Sequence, residues 1–510
     1  MSDIDRYSSR VLADFLAKRK VERAIAARGR ANARAGAEFS GALNSRLTAA
    51  MAGYSLALNA DLDVALVPLR SRARQLAHNT EFGRRFLSLV ANNVIGRHGP
   101  LLQVRAKLAS GTLDKAANDA VELAWARHLS KFDIRAQMSL GWLQRVGMKA
   151  VARDGEVLLR TVVDRKSFRL QLLEADRLDE TINQFSRETG NHIRQGVEMD
   201  AAMRPIAYYV KTAHPGETWR GKQVYDTERV PVEQMLHLFV PERPEQVRGY
   251  SWMHAVILKS GWLNQFAESA VVAARVGASK MGVFTREMDA DGDALKQLAD
   301  DTDGQSLQMS AEAGEFIELP AGYDLKSWDP KFPDVAFESF VKSCMRGISA
   351  GLDVAAHNLS GDMTDVNYSS ARIAELSERE MWMALQDWWI ESMLLPVYRR
   401  WLQWSLVRGD VTFETSGLAL PADRFEKFFN ASFFRGRRWS WVDPSKDIAA
   451  KKEAVALKVT SRTRIAAEEG VEWDDVLIEL AQEEQQIQAN GLAASPAPAP
   501  APAPPAATDE

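Results

Sequence analysis

KFPDVAFESFVKSCMRGISAGLDVAAHNLSGDMTDVNYSSARIAELSEREMWMALQDWWIESMLLPVYRRWLQWSLVR, residues 331–408, is the stretch on which the fold turns. Its first part, 331–352, puts Phe337, Phe340, Val341, Cys344, Ile348 and Leu352 on one helical face and sets Glu338 against Lys342 at i,i+4. A polar loop, 354–366, then breaks the periodicity. From about Asn367 to Arg408 helical spacing resumes over a length worth about 60 Å at 1.5 Å per residue, with a kink expected at Pro396. Trp382, Leu385, Trp388, Trp389 and Met393 fall on more than one face, so the middle of this helix is expected to be buried between subunits or subdomains.

Upstream, residues 281–329 carry twelve acids against Arg286, Lys296 and Lys326, with strand-like runs at 281–285 and 315–319. Before them, Ser251 is a plausible N-cap for a long helix reaching 279, whose stripe Leu258, Trp262, Phe266, Ala270, Ala273, Gly277 shrinks toward its end. Residues 150–240 alternate short apolar runs with polar turns such as Arg153-Asp154-Gly155 and predict a small antiparallel β unit. From 61 to 95 the apolar spacing predicts a helix stopped by Gly96, with Arg70, Arg72, Arg74, Arg84 and Arg85 on a basic opposite face. Residues 1–50, rich in Ala and Arg, suit a solvated helix followed by a loose arm. Downstream, Asp443-Pro444 forms an N-cap and N1 pair, and 461–490 gives two helical segments separated by Gly470. The end, 491–510, is a Pro/Ala stalk expected to stay extended.

A chain of 510 residues implies more than one domain. Its 64 Lys+Arg against 68 Asp+Glu, net −4, argue against a surface that grips nucleic acid or anionic lipid as a whole. No apolar run approaches the roughly 20 residues of a membrane span, and the first twenty residues lack a secretory h-region. The one cysteine, Cys344, can form neither an intrachain disulfide nor a zinc cluster. Nucleotide-binding, zincin and hydrolase motifs are absent from the sequence, and the eight histidines show no ligand spacing, so neither a cofactor nor a metal is expected. The acidic string from Asp289 to Asp300 departs from a calcium loop at Ala294 and at its last position. With catalytic chemistry missing, the order of elements must carry the function. Two long helices flanking an acidic insert, then a polar loop and a very long helix, suit a ring-forming structural protein rather than an enzyme.

The strings LRSRARQLAHN (69–79), NNVIGRHG (92–99), DGEVLLR (154–160), LLEADRLD (172–179), RGYSW (248–252), NYSSAR (367–372) and WVDPSKDIAAKKEA (441–454), in this order, resemble tailed-bacteriophage portal proteins of the lambda type. The resemblance leaves out the first fifty residues and the Pro/Ala tail. It implies an α+β, mainly α, portal-type fold. In it 51–250 would be a helical wing, with the β unit at 150–240; 251–280 and 331–352 the two-helix stem; and 281–330 an α/β clip. Further, 353–366 would be a tunnel loop, 367–420 a long helix returning to the wing, and 421–490 a helical crown. It further implies a non-enzymatic ring of about twelve subunits in the virion, assembled in the host cytoplasm. Double-stranded DNA would be packaged and ejected through it, and a terminase large subunit, head-completion or adaptor proteins, major capsid protein and scaffold would be its partners, with no membrane. Another virion structural protein, capsid-like or scaffold-like, and a metal-dependent hydrolase are the alternatives.

Within that frame the loop has a feature of its own: between Gly351 and Arg372 there is no Lys or Arg, while Asp353, Asp362 and Asp365 are present. Each neutralised phosphate steepens the salt dependence of DNA binding by about 0.9 in log–log slope, so a basic loop repeated round a ring would hold DNA. Asn358, Ser360, Asp362 and Thr364 are therefore the expected low-friction lining of the narrowest passage. Lys342 and Arg346, on the preceding helix, are expected to face DNA or acids of a neighbouring subunit.

Overall fold

The computed structural model describes residues 57–185, 190–217, 226–278, 282–286, 323–327, 336–364, 366–439, 444–469, 471 and 473–490. The arm 1–50, the run 315–319, the string 289–300, Asp365, Asp443, Gly470 and the stalk 491–510 lie outside them. The chain divides into two units, 1–64 and 65–510. The described part of the first unit is the opening of helix α1 (Leu58–Asn79).

The helix expected over 61–95 is two helices. Thr80 leaves helical geometry (φ −128°) and its Oγ1 accepts a hydrogen bond from Gly83 N, capping α2 (Glu81–Val90). A π turn, Ala91–Ile95, follows and ends at Gly96 with φ 75°. The basic face is also corrected: Arg70 is fully buried among carboxylates, and Arg74 is mostly so.

After β1 (Leu101–Val104) come α3 (Lys115–His128) and α4 (Leu140–Asp154), the latter capped by Ser139 at one end and left-handed Gly155 at the other. Residues 157–238 then form two antiparallel sheets. Strand β2 (Val157–Val163) lies between β3 (Phe168–Leu173) and β9 (Met235–Leu238). The meander β4 (Gln184–Phe185), β5 (His192–Arg194), β6 (Val197–Met199), β7 (Pro205–Lys211) and β8 (Thr227–Pro231) makes the second. Leu178, Val197, Tyr208, Val210 and Val230 pack with Leu158 and Met235 in a core of their own.

Helix α5 runs over Ile257–Ala278, six residues later than the N-cap expected at Ser251. Ser251 is instead buried, and its Oγ accepts from Met253 N in the turn before the helix. Strands β10 (Gly282–Arg286) and β11 (Tyr323–Ser327) pair antiparallel. Helix α6 (Ala336–Gly351) returns against α5, with Phe266 stacked on Phe337 at 5.4 Å between centroids.

The long helix opens at Asn367, whose Oδ1 accepts from Ser370 N 2.8 Å away. It runs as α8 (Tyr368–Trp389), a π turn (Ile390–Leu394) and α9 (Leu395–Arg408), after the short α7 (Ala356–Ser360). The π turn sits directly before Pro396, which has no N–H to give to the preceding turn. The buried middle packs within the chain's own core: Trp389 Nε1 donates to Gln144 Oε1, and Trp382 Nε1 to Glu378. Around Trp401 the rings of Trp125, Tyr398 and Phe434 close an aromatic cluster with centroids 4.8 to 6.0 Å apart. Strand β12 (Ser432–Arg435), after α10 (Phe425–Asn430), pairs back on β1. Helices α11 (Pro444–Ala456), α12 (Arg462–Glu469) and α13 (Trp473–Ala489) finish the described chain.

Candidate functional site

Three places gather the chemistry. The first is buried. Glu156, fully enclosed at the start of β2, accepts from Arg248 Nη2 (2.5 Å) and Nε (2.9 Å) and from Gly249 N (2.9 Å), with His237 Nε2 2.8 Å away and Arg70 Nη2 3.3 Å away. Arg70 also meets Asp176, and Arg74 bridges Asp154 and Asp176. Burial alone would raise the Glu156 carboxyl; Arg248 and His237 outweigh it and hold the group well below the usual carboxylate range. Asp176 is held down in the same way by Arg70 and Arg74 against its burial. The partners stand 80 to 106 residues apart, so neither periodicity nor motif spacing reveals the cluster. Four of the strings that carry the portal resemblance supply it: 69–79, 154–160, 172–179 and 248–252. Gly155, at φ 95°, lies so close to Tyr250 that an added Cβ would come 2.2 Å from its carbonyl carbon. The cluster thus ties α1, β2 and the segment entering α5.

Beside it, Glu174, Asp176 and His214 bring three potential ligand atoms within 4.8 Å of one another, a grouping not visible in the sequence. Arg74 Nη2, 2.5 Å from Asp176 and 3.6 Å from Glu174, stands among them as the neutralising cation.

The second place is the junction of α6, the 353–366 segment and α8. That segment is a loop only in part: α7 spans 356–360, and left-handed Gly361 ends it. Asn358 is half-buried and committed, its Nδ2 donating to Glu378 Oε2 at 2.8 Å while its carbonyl accepts from Arg85 Nε at 3.0 Å. Ser360 and Thr364 are exposed, and Asp362 is partly so. Asp362 Oδ1 accepts from Thr364 Oγ1 (2.6 Å) and Thr364 N (3.0 Å), which together with the Lys342 charge lower its pKa. Lys342 pairs with Glu338 at 3.0 Å, as the i,i+4 spacing predicts, and its ammonium stands 3.9 Å from Asp362 and 3.5 Å from Thr364. The structure therefore brings Lys342, Asp362 and Thr364 together, with Ser360 adjacent through Asp362 N. Asn358 turns to Glu378 instead, and Arg346 is exposed. A segment without cations in sequence is not without them in space: Lys342 and Arg85 both reach it.

The third place is a groove of about 630 Å³ between α8 and the residues after β12, continuing into a cavity of about 200 Å³. Arg379, Arg437 and Trp439 line both, and Arg438 and Arg464 extend the first. Arg437 Nη1 is held by the carbonyl of Asn92 (2.6 Å) and by Asn93 Oδ1 (3.0 Å), and its guanidinium lies 5.4 Å from the Trp439 ring. The run FFRGRRW (433–439), three arginines between aromatic residues, is the sequence signal for this groove.

Comparison with known proteins matches residues 44–386 to the family described as phage portal protein, lambda family. The "Probable portal protein" of Halomonas phage phiHAP-1 is 30% identical over 433 residues, covering 83% of this chain and 81% of that one. Portal protein B of Escherichia phage lambda is 20% identical, covering 84% and 86%. Among solved structures, the "Neck of native GTA particle computed with C12 symmetry" aligns with 80% of this chain and 93% of that one, at 14% identity and a TM-score of 0.41.

Proposed function

The chain belongs to the lambda family of phage portal proteins, and from that premise we propose that about twelve copies close into a ring at one capsid vertex. Double-stranded DNA enters the head through this ring under a terminase motor and later leaves through it. The ring makes and breaks no bonds in the DNA.

The observation that carries this reading is the helical hairpin. Helices α5 and α6 pack on each other, and β10 and β11 pair at the end away from the core. The hairpin also exposes large apolar side chains: Leu258 and Trp262 are 66% and 65% exposed, and Phe340 is 51% exposed. Isolated apolar side chains are ordinary on a surface, but a run of them along a hairpin marks a face that another chain covers. The hairpin is thus the stem, shared between neighbours, and its β tip together with the acidic insert forms the clip that meets the motor and, later, adaptor proteins. Residues 51–250 and the return helix from 367 form the wing, and 421–490 the crown, where capsid and scaffold contacts are available.

The 353–366 segment lines the passage, with Ser360, Asp362 and Thr364 offering hydroxyls and a carboxylate balanced by Lys342. Asn358 braces the segment against α8. Arg346 faces DNA or a neighbouring stem. A nearly neutral, hydroxyl-rich rim lets a duplex slide because few phosphates are neutralised at any moment. Negative-stain images of the purified chain test the ring: a closed ring with a central opening is expected, and a monomer under all conditions sinks the reading. For the rim, Ser360→Lys with Asp362→Lys is expected to stall packaging, and normal DNA-filled heads from that variant would remove the low-friction assignment.

A further inference from the structure

The groove around Arg437 and the helix α13 are complementary, and neither is satisfied within one chain. From Ile465 to the C-terminus the sequence has no Lys or Arg, while Glu468, Glu469, Glu472, Asp474, Asp475, Glu479, Glu483 and Glu484 precede the Pro/Ala stalk. On α13, Leu477, Leu480 and Ile487 share a face with Glu483 and Glu484, at spacings of three and four residues. Every side chain from Leu477 to Asn490 is exposed. A 17-residue helix packed only at its first turn, where Trp473 and Val476 are half-buried, is marginal in water and gains most of its stability from docking. The groove has the opposite character. Five arginines, Arg379, Arg435, Arg437, Arg438 and Arg464, line it against two acids, Glu380 and Asp387, beside exposed Leu376 and Met383 and the Trp439 ring, and no ion pair to Arg437, Arg438 or Arg464 is found among the described residues.

We propose that α13 of one copy lies in the Arg437 groove of the next, its Glu483 and Glu484 on the arginines and its Leu480 and Ile487 against Trp439, Leu376 and Met383. The occupant is a second copy rather than the chain's own helix, because α13 leaves its own groove unfilled. It leaves that groove although Trp473 is held under Arg462 and Arg464 of the same helix lines the groove. A groove and a ligand helix that are two different surfaces of the same chain make a head-to-tail contact, the kind that repeats until a ring closes. Arg438 and Glu483 are both exposed, so reversing either leaves the fold intact.

The inference rests on the ring reading, and the experiment separates the two. In the full chain carrying Cys344→Ser, copies with Arg438→Cys are mixed with copies carrying Glu483→Cys and mildly oxidised. A disulfide between chains in the assembled fraction is expected. Arg438→Glu is expected to raise the concentration for half-assembly about tenfold, as like charges meet at every contact, and Glu483→Arg added to it is expected to restore assembly. Rings that assemble normally with Arg438→Glu and show no interchain disulfide overturn the docking and leave the ring reading standing. A cross-link in a chain that never forms rings upholds the docking and removes the ring. Arg438→Glu that weakens double-stranded DNA binding while assembly is unchanged overturns the proposal in favour of a phosphate groove.

Discussion

At the scale of single residues, the Glu156 cluster is the most consequential feature of the wing. A buried ion pair is not by itself strongly stabilising, but removing one partner strands the other in a low dielectric, at a cost of about 3–5 kcal/mol. Glu156→Gln is expected to lose that much by chemical denaturation at neutral pH, because Arg248 is fully enclosed and has only carbonyls left to bind. The pH dependence has a definite sign. Glu156 and Asp176 sit below their ordinary pKa in the folded chain, so their stabilisation is complete above the unfolded value near 4 and drains as pH falls toward the folded values. The melting midpoint should be flat from about pH 5 to neutral and drop below about pH 4. A Glu156→Gln chain should show a shallower acid limb. Gly155→Ala should destabilise by more than about 2 kcal/mol, since it meets both an unfavourable φ and the Tyr250 backbone; a melting midpoint within a degree of wild type would contradict this close approach.

At the scale of elements, the helix 368–408 organises the larger unit, because its aromatic rings are shared with α3, α4 and β12. Trp389→Ala removes a fully buried ring and orphans Gln144, and about 3–5 kcal/mol of stability should go with it in urea titrations. The entry of this helix is a smaller matter. Asn367→Ala deletes one side-chain cap, worth about 1 kcal/mol; it should leave the core intact and increase hydrogen exchange in the first turn. These elements were legible in the sequence as periodicities and caps. What periodicity could not give was the break at Thr80, where a cap overrides a pattern that continues through it. It also could not give the start of α5, where Ser251 spends its hydroxyl on Met253, nor the short helix inside a segment that reads as loop.

At the scale of the whole molecule, the exposed stem residues are the ones to test. Leu258→Ser with Trp262→Ser removes apolar surface that no other part of the described chain covers. Thermal unfolding of the unassembled chain should change by no more than about 0.5 kcal/mol, while the yield of rings in negative-stain fields should collapse; unchanged ring yield would move the subunit contact elsewhere. The candidate site was read unevenly. Ser360 and Thr364 are exposed and Asp362 is partly so, while Asn358 braces α8, and the cationic partner of the segment comes from Lys342, on the preceding helix. Composition and spacing along the chain determined the class of fold and the order of helices and strands, since these depend on local propensity and on which residues must leave water, while the family was carried by the resemblance of particular strings. The pairing of Glu156 with Arg248, the reach of Lys342 to Asp362 and the convergence of Arg379, Arg437 and Arg464 on one groove were decided only by tertiary structure. Charge and hydrogen bonding act through distances of a few ångströms in space, and these partners lie tens of residues apart in sequence.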